Sequence, residues 1–164
     1  MMNRKFQSLA TSCLAALTLG LAACATPPAP VPLAESLSRE SSLSIFNSLV
    51  QQAGMSDNLR AAGPLTVFAP SDEAFKAVPA KTMAALADDK AQLKALLSYH
   101  IISGRVSAAD VKNGEVETLQ GAKVALSRAG TFVTIEDAMV QQADISASNG
   151  VAHVIDRVLT LPKK

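Results

Sequence analysis

Tryptophan is absent from the chain and tyrosine occurs once, so there is little from which to build an aromatic platform for sugars or bases. Histidine is almost as scarce. His100 and His153 are the only two, and no G-x-S-x-G elbow, H-E-x-x-H helix or closely spaced cysteine pair accompanies them. His153 and Asp156 stand three apart on an expected strand, where odd spacing points their side chains to opposite faces and prevents joint ligation of a metal. The expectation is a protein with no catalytic residue, no cofactor and no metal, in which isolated histidines amid apolar neighbours are hydrogen-bonded members of the core. Charge of one sign is missing too. The chain has 15 basic and 14 acidic side chains, and its basic residues do not cluster beyond Lys163 and Lys164. That balance argues against nucleic acid as a partner.

The two cysteines, Cys13 and Cys24, fall in the first 24 residues. Arg4 and Lys5 form a short basic start, and Leu9 to Ala23 is apolar apart from Thr11, Ser12, Thr18 and Gly20. Such a run is shorter than the roughly 20 residues a membrane-crossing helix needs and fits the apolar region of a secretory signal. The sequence L-A-A-C at Leu21 to Cys24 is similar to the bacterial lipobox, in which the cysteine is lipidated and becomes the first mature residue. An exported chain that loses Cys13 with its signal keeps one cysteine and cannot form an internal disulfide, which supports Cys24 as an anchor. Residues 1–23 are therefore expected as a lipoprotein signal, with the membrane a partner through acyl chains on Cys24. Ala25, where an aspartate would resemble an inner-membrane retention signal, favours the outer membrane. Without Arg4 and Lys5 the net charge is near −1.

Residues 24–36 follow as a spacer. Pro27, Pro28, Pro30 and Pro32 crowd into A-T-P-P-A-P-V-P-L-A-E-S, and proline fixes φ and lacks an amide hydrogen. An extended polyproline stalk reaching about 30 Å is expected. Residues 37–164 then have the size of one domain. Leu43, Phe46, Leu49, Val50 and Ala53 share a helical face, predicting a helix from Ser42 to Ala53, capped by Ser41 or Ser42 and closed by Gly54. Leu65 to Ala69 reads as a short strand, ended by Pro70. Ser71 and Asp72 then cap the following turn, which carries Ala74 and Phe75. Helical spacing continues over Lys81 to Ala87 and Ala91 to Tyr99. Beyond Ile101 the period becomes that of strands: His100 to Val106, Glu115 to Leu119, Lys123 to Ser127, Thr131 to Glu136, Met139 to Ala143, and Val151 to Leu161. Helices first and strands later predict an α+β domain. The last strand is apolar on both faces and should lie centrally, covered on both sides. Asn149 and Gly150 before it read as a turn pair, because glycine tolerates positive φ.

Two boxes, T-V-F-A-P-S-D-E-A-F at Thr66 to Phe75 and N-G-V-A-H-V-I-D-R-V-L-T-L-P at Asn149 to Pro162, resemble the paired signatures of a fasciclin domain. Tyr99 and His100, Q-G-A-K-V at Gln120 to Val124, and A-D-I at Ala143 to Ile145 extend the match in order over Leu43 to Leu161. The resemblance implies a wedge of two β-sheets with helices packed against it. It also implies a non-enzymatic domain for adhesion, binding surface or matrix proteins. In adhesive members an Asp-Ile pair before the second box and a Tyr-His segment between the boxes are implicated in receptor contacts. The candidate partner-binding residues are thus Asp144, Ile145, Tyr99 and His100. Q-Q-A precedes Asp144, in place of the Asn-Lys or Glu-Pro of animal adhesion proteins, which argues against integrin recognition. The competing expectation is that Ile145 plugs the core, Asp144 bonds the following turn, and Tyr99 and His100 tie helix to strand. The alternative function is that of a carrier or sensor whose apolar interior holds a small hydrophobic ligand.

Overall fold

The structure, a computed structural model, describes residues 31–161. The signal, Cys24 and most of the proline spacer lie outside the described residues. The packed chain begins earlier than its composition predicts. Helix α1 spans Leu33–Ser38, with Leu33 and Leu37 wholly buried. Their i, i+4 spacing lays both side chains on one face. Pro32, at the N-cap position, withholds no amide that the helix needs. The spacer expected to run to Ser36 therefore gives way to the core at Leu33.

A single 3-10 turn, Ser41–Leu43, leads into α2, Ser44–Gln52, which buries Phe46, Leu49 and Val50. Neither Ser41 nor Ser42 caps it. Asp72 does so from a distance: its Oδ1 accepts the Ile45 amide at 2.8 Å, while Ser71 Oγ accepts the Ala74 amide and caps α4, Asp72–Lys76. The expected double cap is thus split between two helices, which fixes α2 against α4. Helices α3 (Ser56–Arg60), α4 (Asp72–Lys76), α5 (Ala80–Asp88) and α6 (Lys90–Tyr99) complete the set.

The strands are β1 (Leu65–Pro70), β2 (Ile101–Ser103), β3 (Gly114–Glu117), β4 (Lys123–Ala129), β5 (Phe132–Ile135), β6 (Ala138–Ala147) and β7 (Gly150–Ile155). They form one hydrogen-bonded order, β2-β1-β7-β6-β5-β4-β3. The fold is α+β, and the two sheets of the wedge are the halves of this order, which share the long strand β6. An isolated bridge from Ile102 to Thr118 and the bond from the Leu119 amide to the Ile101 carbonyl bring the far edges together, so the sheet nearly closes.

One core lies between the helices and the β1-β7 face and contains Leu33, Phe46, Val67, Ala69, Ala152 and Val154. The other fills the interior of the curled sheet with Phe68, Ile102, Leu126, Ile135 and Ile155. Strand β7, buried at all six positions, runs between β1 and β6 and faces both cores. It is shorter than expected. After Ile155 the Asp156 amide donates to the Met139 carbonyl and the chain leaves the sheet, yet Val158, Leu159 and Leu161 still pack on the cores. Apolar residues that continue a strand's pattern need burial only, and an irregular tail supplies it.

The turn pair also has another basis. Gly150 is needed for close approach, since a Cβ there would lie 2.0 Å from the Leu65 carbonyl oxygen, and positive φ plays no part. Asn149 is a clamp: its Oδ1 accepts the Leu33 amide, and its Nδ2 donates to the carbonyls of Leu59 and Ala61, each at 2.8 Å. One amide side chain thereby joins the start of α1 to the end of α3.

Candidate functional site

Strand β6 does not keep step with β7. Val140 faces Ile155, Gln142 faces Val154 and Ile145 faces Ala152, so β6 gains one residue at each of two bulges. Asp144 lies in the second bulge with φ of 59°, a left-handed conformation that aspartate tolerates better than most residues. Its amide leaves the ladder and donates to His153 Nδ1 at 3.2 Å, and its Oδ1 accepts the Ala108 amide at 2.9 Å. Asp144 is exposed; Ile145 is half-buried and rests on the helical core. The expected bond from Asp144 to the following turn is replaced by this longer reach to the β2–β3 loop.

Beneath the bulge His153 is wholly buried and stacks on Phe68, with ring centroids 5.1 Å apart. Its Nε2 lies 2.9 Å from the Val106 carbonyl. Because Nδ1 accepts from Asp144, Nε2 must carry the proton, and only the neutral ring satisfies both partners. Burial holds its pKa below the usual histidine value, against the opposing pull of the Val106 bond and the Asp144 carboxylate. Thr66 finishes the arrangement: its Oγ1 donates to the Gly104 carbonyl at 2.7 Å and accepts the Val106 amide at 2.9 Å. The β2–β3 loop is thus pinned at Gly104, Val106 and Ala108 by side chains from β1, β7 and β6. The signal for Thr66 and His153 was present in the sequence as lone polar residues inside otherwise apolar strands.

Tyr99 and His100 belong elsewhere. They sit at the junction of α6 and β2, both buried. His100 Nδ1 donates to the Leu96 carbonyl at 2.8 Å, and Nε2 accepts the Leu159 amide at 3.0 Å, so this ring carries its proton on the other nitrogen. Complete burial pushes its pKa down to about 4. Tyr99 lines a cleft of about 420 Å³ with Glu136, Asp137, Arg157 and Thr160, and burial followed by the nearby Glu136 carboxylate raises its pKa. The four candidate residues therefore divide into a pair on β6, with Asp144 exposed and Ile145 half-buried, and a buried pair tying α6 to the C-terminal tail. Among the described residues no three His, Cys, Asp or Glu side chains gather as a metal site would require. Asp156 is engaged at the β6 start, accepting the Met139 amide.

A sequence profile of the fasciclin domain matches residues 41–162. The chain belongs to the fasciclin-domain family. It is 42% identical over 115 residues to Protein sll1483 of Synechocystis sp., an alignment covering 69% of this chain and 64% of that protein. It is 34% identical over 142 residues to transforming growth factor-beta-induced protein ig-h3 of Sus scrofa, covering 84% of this chain and 20% of that one. This fasciclin domain thus spans under two thirds of either relative. Among solved structures, a fasciclin domain pair from the insect cell adhesion molecule fasciclin I superposes with a TM-score of 0.63 at 17% identity, over 80% of this chain and 51% of that chain. That likeness carries the fold alone.

Proposed function

We propose that this fasciclin-domain protein is exported, held to the cell envelope by acyl chains on Cys24, and serves as a non-enzymatic module that binds a surface or matrix protein around Asp144 and Ile145. One observation carries the reading. Of the four candidate residues, only Asp144 presents a charged group to solvent, and it does so from a bulge held by His153 and the β2–β3 loop. A preset, exposed carboxylate beside a half-buried isoleucine pays little ordering entropy on contact. Both histidines have their ring nitrogens occupied by backbone groups, which leaves neither free as a general base. Adhesion is named for the insect fasciclin I relative and comes to this chain as part of the proposal.

The anchor rests on L-A-A-C and on the spacer after it. The outer membrane is favoured by Ala25. A carrier of small hydrophobic ligands would need an apolar chamber. The cleft beside Tyr99 instead carries Glu136, Asp137 and Arg157.

Cys24→Ser and Asp144→Asn test the two halves separately. In the host, Cys24→Ser is expected to move the protein from the membrane to the soluble fraction with its fold intact. Binding of the purified full chain to envelope fractions of its host should fall at least about tenfold in Asp144→Asn, which a loss of about 1.4 kcal/mol would produce. Undiminished binding would remove the contact surface from β6. A small apolar molecule retained by the protein in native mass spectrometry would favour the carrier instead.

A further inference from the structure

His153 has no part in the resemblance-based assignment, yet it is the group on which the candidate surface is built. The Asp144 amide is displaced from the β6-β7 ladder by the bulge, and its acceptor is the ring nitrogen Nδ1. On the other side of the ring, Nε2 holds the Val106 carbonyl, two residues before the Ala108 amide that Asp144 Oδ1 receives. Ring, bulge and loop close a circuit of three hydrogen bonds in which every donor and acceptor is assigned. The circuit exists for one protonation state only. A proton on Nδ1 converts the acceptor into a second donor, which faces the Asp144 N–H donor to donor and leaves that amide without a partner.

We infer that His153 is the positioning residue of the Asp144–Ile145 surface and that protonation of its ring releases the bulge, so that acidification switches the surface off. The inference rests on the binding role proposed for that segment. Groups facing the ring from each packed element agree with it. Strand β1 offers the Phe68 ring and the β2–β3 loop offers the Val106 carbonyl, neither of them titratable. Strand β6 offers the Asp144 carboxylate, the one charged group acting on the ring among the described residues, and it favours the protonated form. Once Nδ1 carries a proton, that carboxylate is its nearest anionic acceptor. A turn of Asp144 toward the ring takes its Oδ1 from the Ala108 amide, so the β2–β3 loop loosens with the bulge. His100, by contrast, has only the Leu96 carbonyl and the Leu159 amide at its ring nitrogens, and burial holds it neutral to about pH 4.

The test follows the full chain, labelled with 15N, by NMR from about pH 7.5 to about pH 4.5, the range over which histidine tautomers and charge are read. At neutral pH the His153 ring is expected to show a protonated Nε2 and a bare Nδ1. On acidification the Asp144 and Ala108 amides should shift with the midpoint of the His153 ring, while the Phe68 amide stays in place. His153→Asn offers Oδ1 where Nδ1 stood and cannot titrate, so it should hold the Asp144 amide unchanged over the same range. An Asp144 amide indifferent to the His153 titration would overturn the inference, as would a ring that takes a proton only when the whole domain unfolds. In His100→Gln the Asp144 response should persist, and its loss there would assign the response to His100 and overturn the proposal even if His153→Asn failed to fold. None of these readings uses a partner, so a failed binding assay and a failed switch are told apart.

Discussion

The two histidine sites are built from the same parts and hold different things. Each ring is buried, neutral, and bonded to one backbone carbonyl and one backbone amide, but with opposite tautomers. His100 joins the end of α6 to the tail after β7, entirely within the core. His153 joins a strand to a bulge and a loop at the surface. Phe68 lies between them, its amide donating to the His100 carbonyl and its ring stacked on His153. Burial alone therefore does not separate scaffold from site; the location of the bonded backbone does. A buried polar group fully satisfied within the core fixes the fold, and one satisfied by exposed backbone fixes a surface.

The comparison breaks first at Val154, the neighbour of His153 on β7. His153 is tolerated at full burial because both its ring nitrogens are bonded, whereas Val154 faces the helical core among Val67, Ala69 and Ala152. Val154→Asp would place a carboxylate there with no donor in reach, and about 4 kcal/mol or more should be lost, enough to prevent folding at ordinary temperatures. Denaturant unfolding checks this, and a parental midpoint would show that β7 is not covered on its helical face.

Acid should next act on the domain's two buried histidines. His100 has a folded pKa of about 4 against an ordinary value of 6.5, so on acidification the unfolded chain takes up a proton that the native state refuses. The stability this represents is present above pH 6.5, declines as pH falls, and is gone once pH passes the folded value of about 4. Its size is on the order of 3 kcal/mol. His153 contributes with the same sign, its pKa also being lowered by burial. Unfolding free energies measured across this window should fall steadily, and the slope should decrease in His100→Gln. A flat profile would mean that the His100 ring is not held neutral.

What was legible in the sequence was what repeats. Phe46, Leu49 and Val50 announce a helical face, and the unbroken apolar run of the second box announces a covered central strand; both describe a residue's relation to near neighbours. What stayed hidden depended on distant partners. Asp72 caps a helix 27 positions away, and Asn149 reaches Leu33 across 116. In both, a local reading supplied a nearer partner than the one used. Leu33 and Leu37 were hidden by the prolines before them, whose composition outweighed a two-residue pattern. The bulges of β6 were hidden for a different reason: each inserted residue shifts the alternation, so its exposed and buried positions follow no single period. The candidate surface lies where that period fails. Asp144 could be flagged by resemblance, but its left-handed φ and its bond to His153 could not.

The smallest expected effect sharpens the comparison most. Asp144→Asn keeps a side-chain oxygen for the Ala108 amide and a residue type that accepts left-handed φ, and it leaves the backbone bond to His153 untouched. Only the charge is removed. If the carboxylate is there for a partner, the free protein should lose no more than about 0.5 kcal/mol, within the range of ordinary surface changes. His100→Ala gives the contrast, since it strands the Leu159 amide and the Leu96 carbonyl in the core and should cost about 1 to 3 kcal/mol. Thermal unfolding of the two variants beside the parent decides the matter. A penalty for Asp144→Asn as large as that for His100→Ala would mean that the carboxylate's charge holds the β2–β3 loop in place. The Asp144–Ile145 pair on β6 would then belong to the scaffold, as the buried pair does.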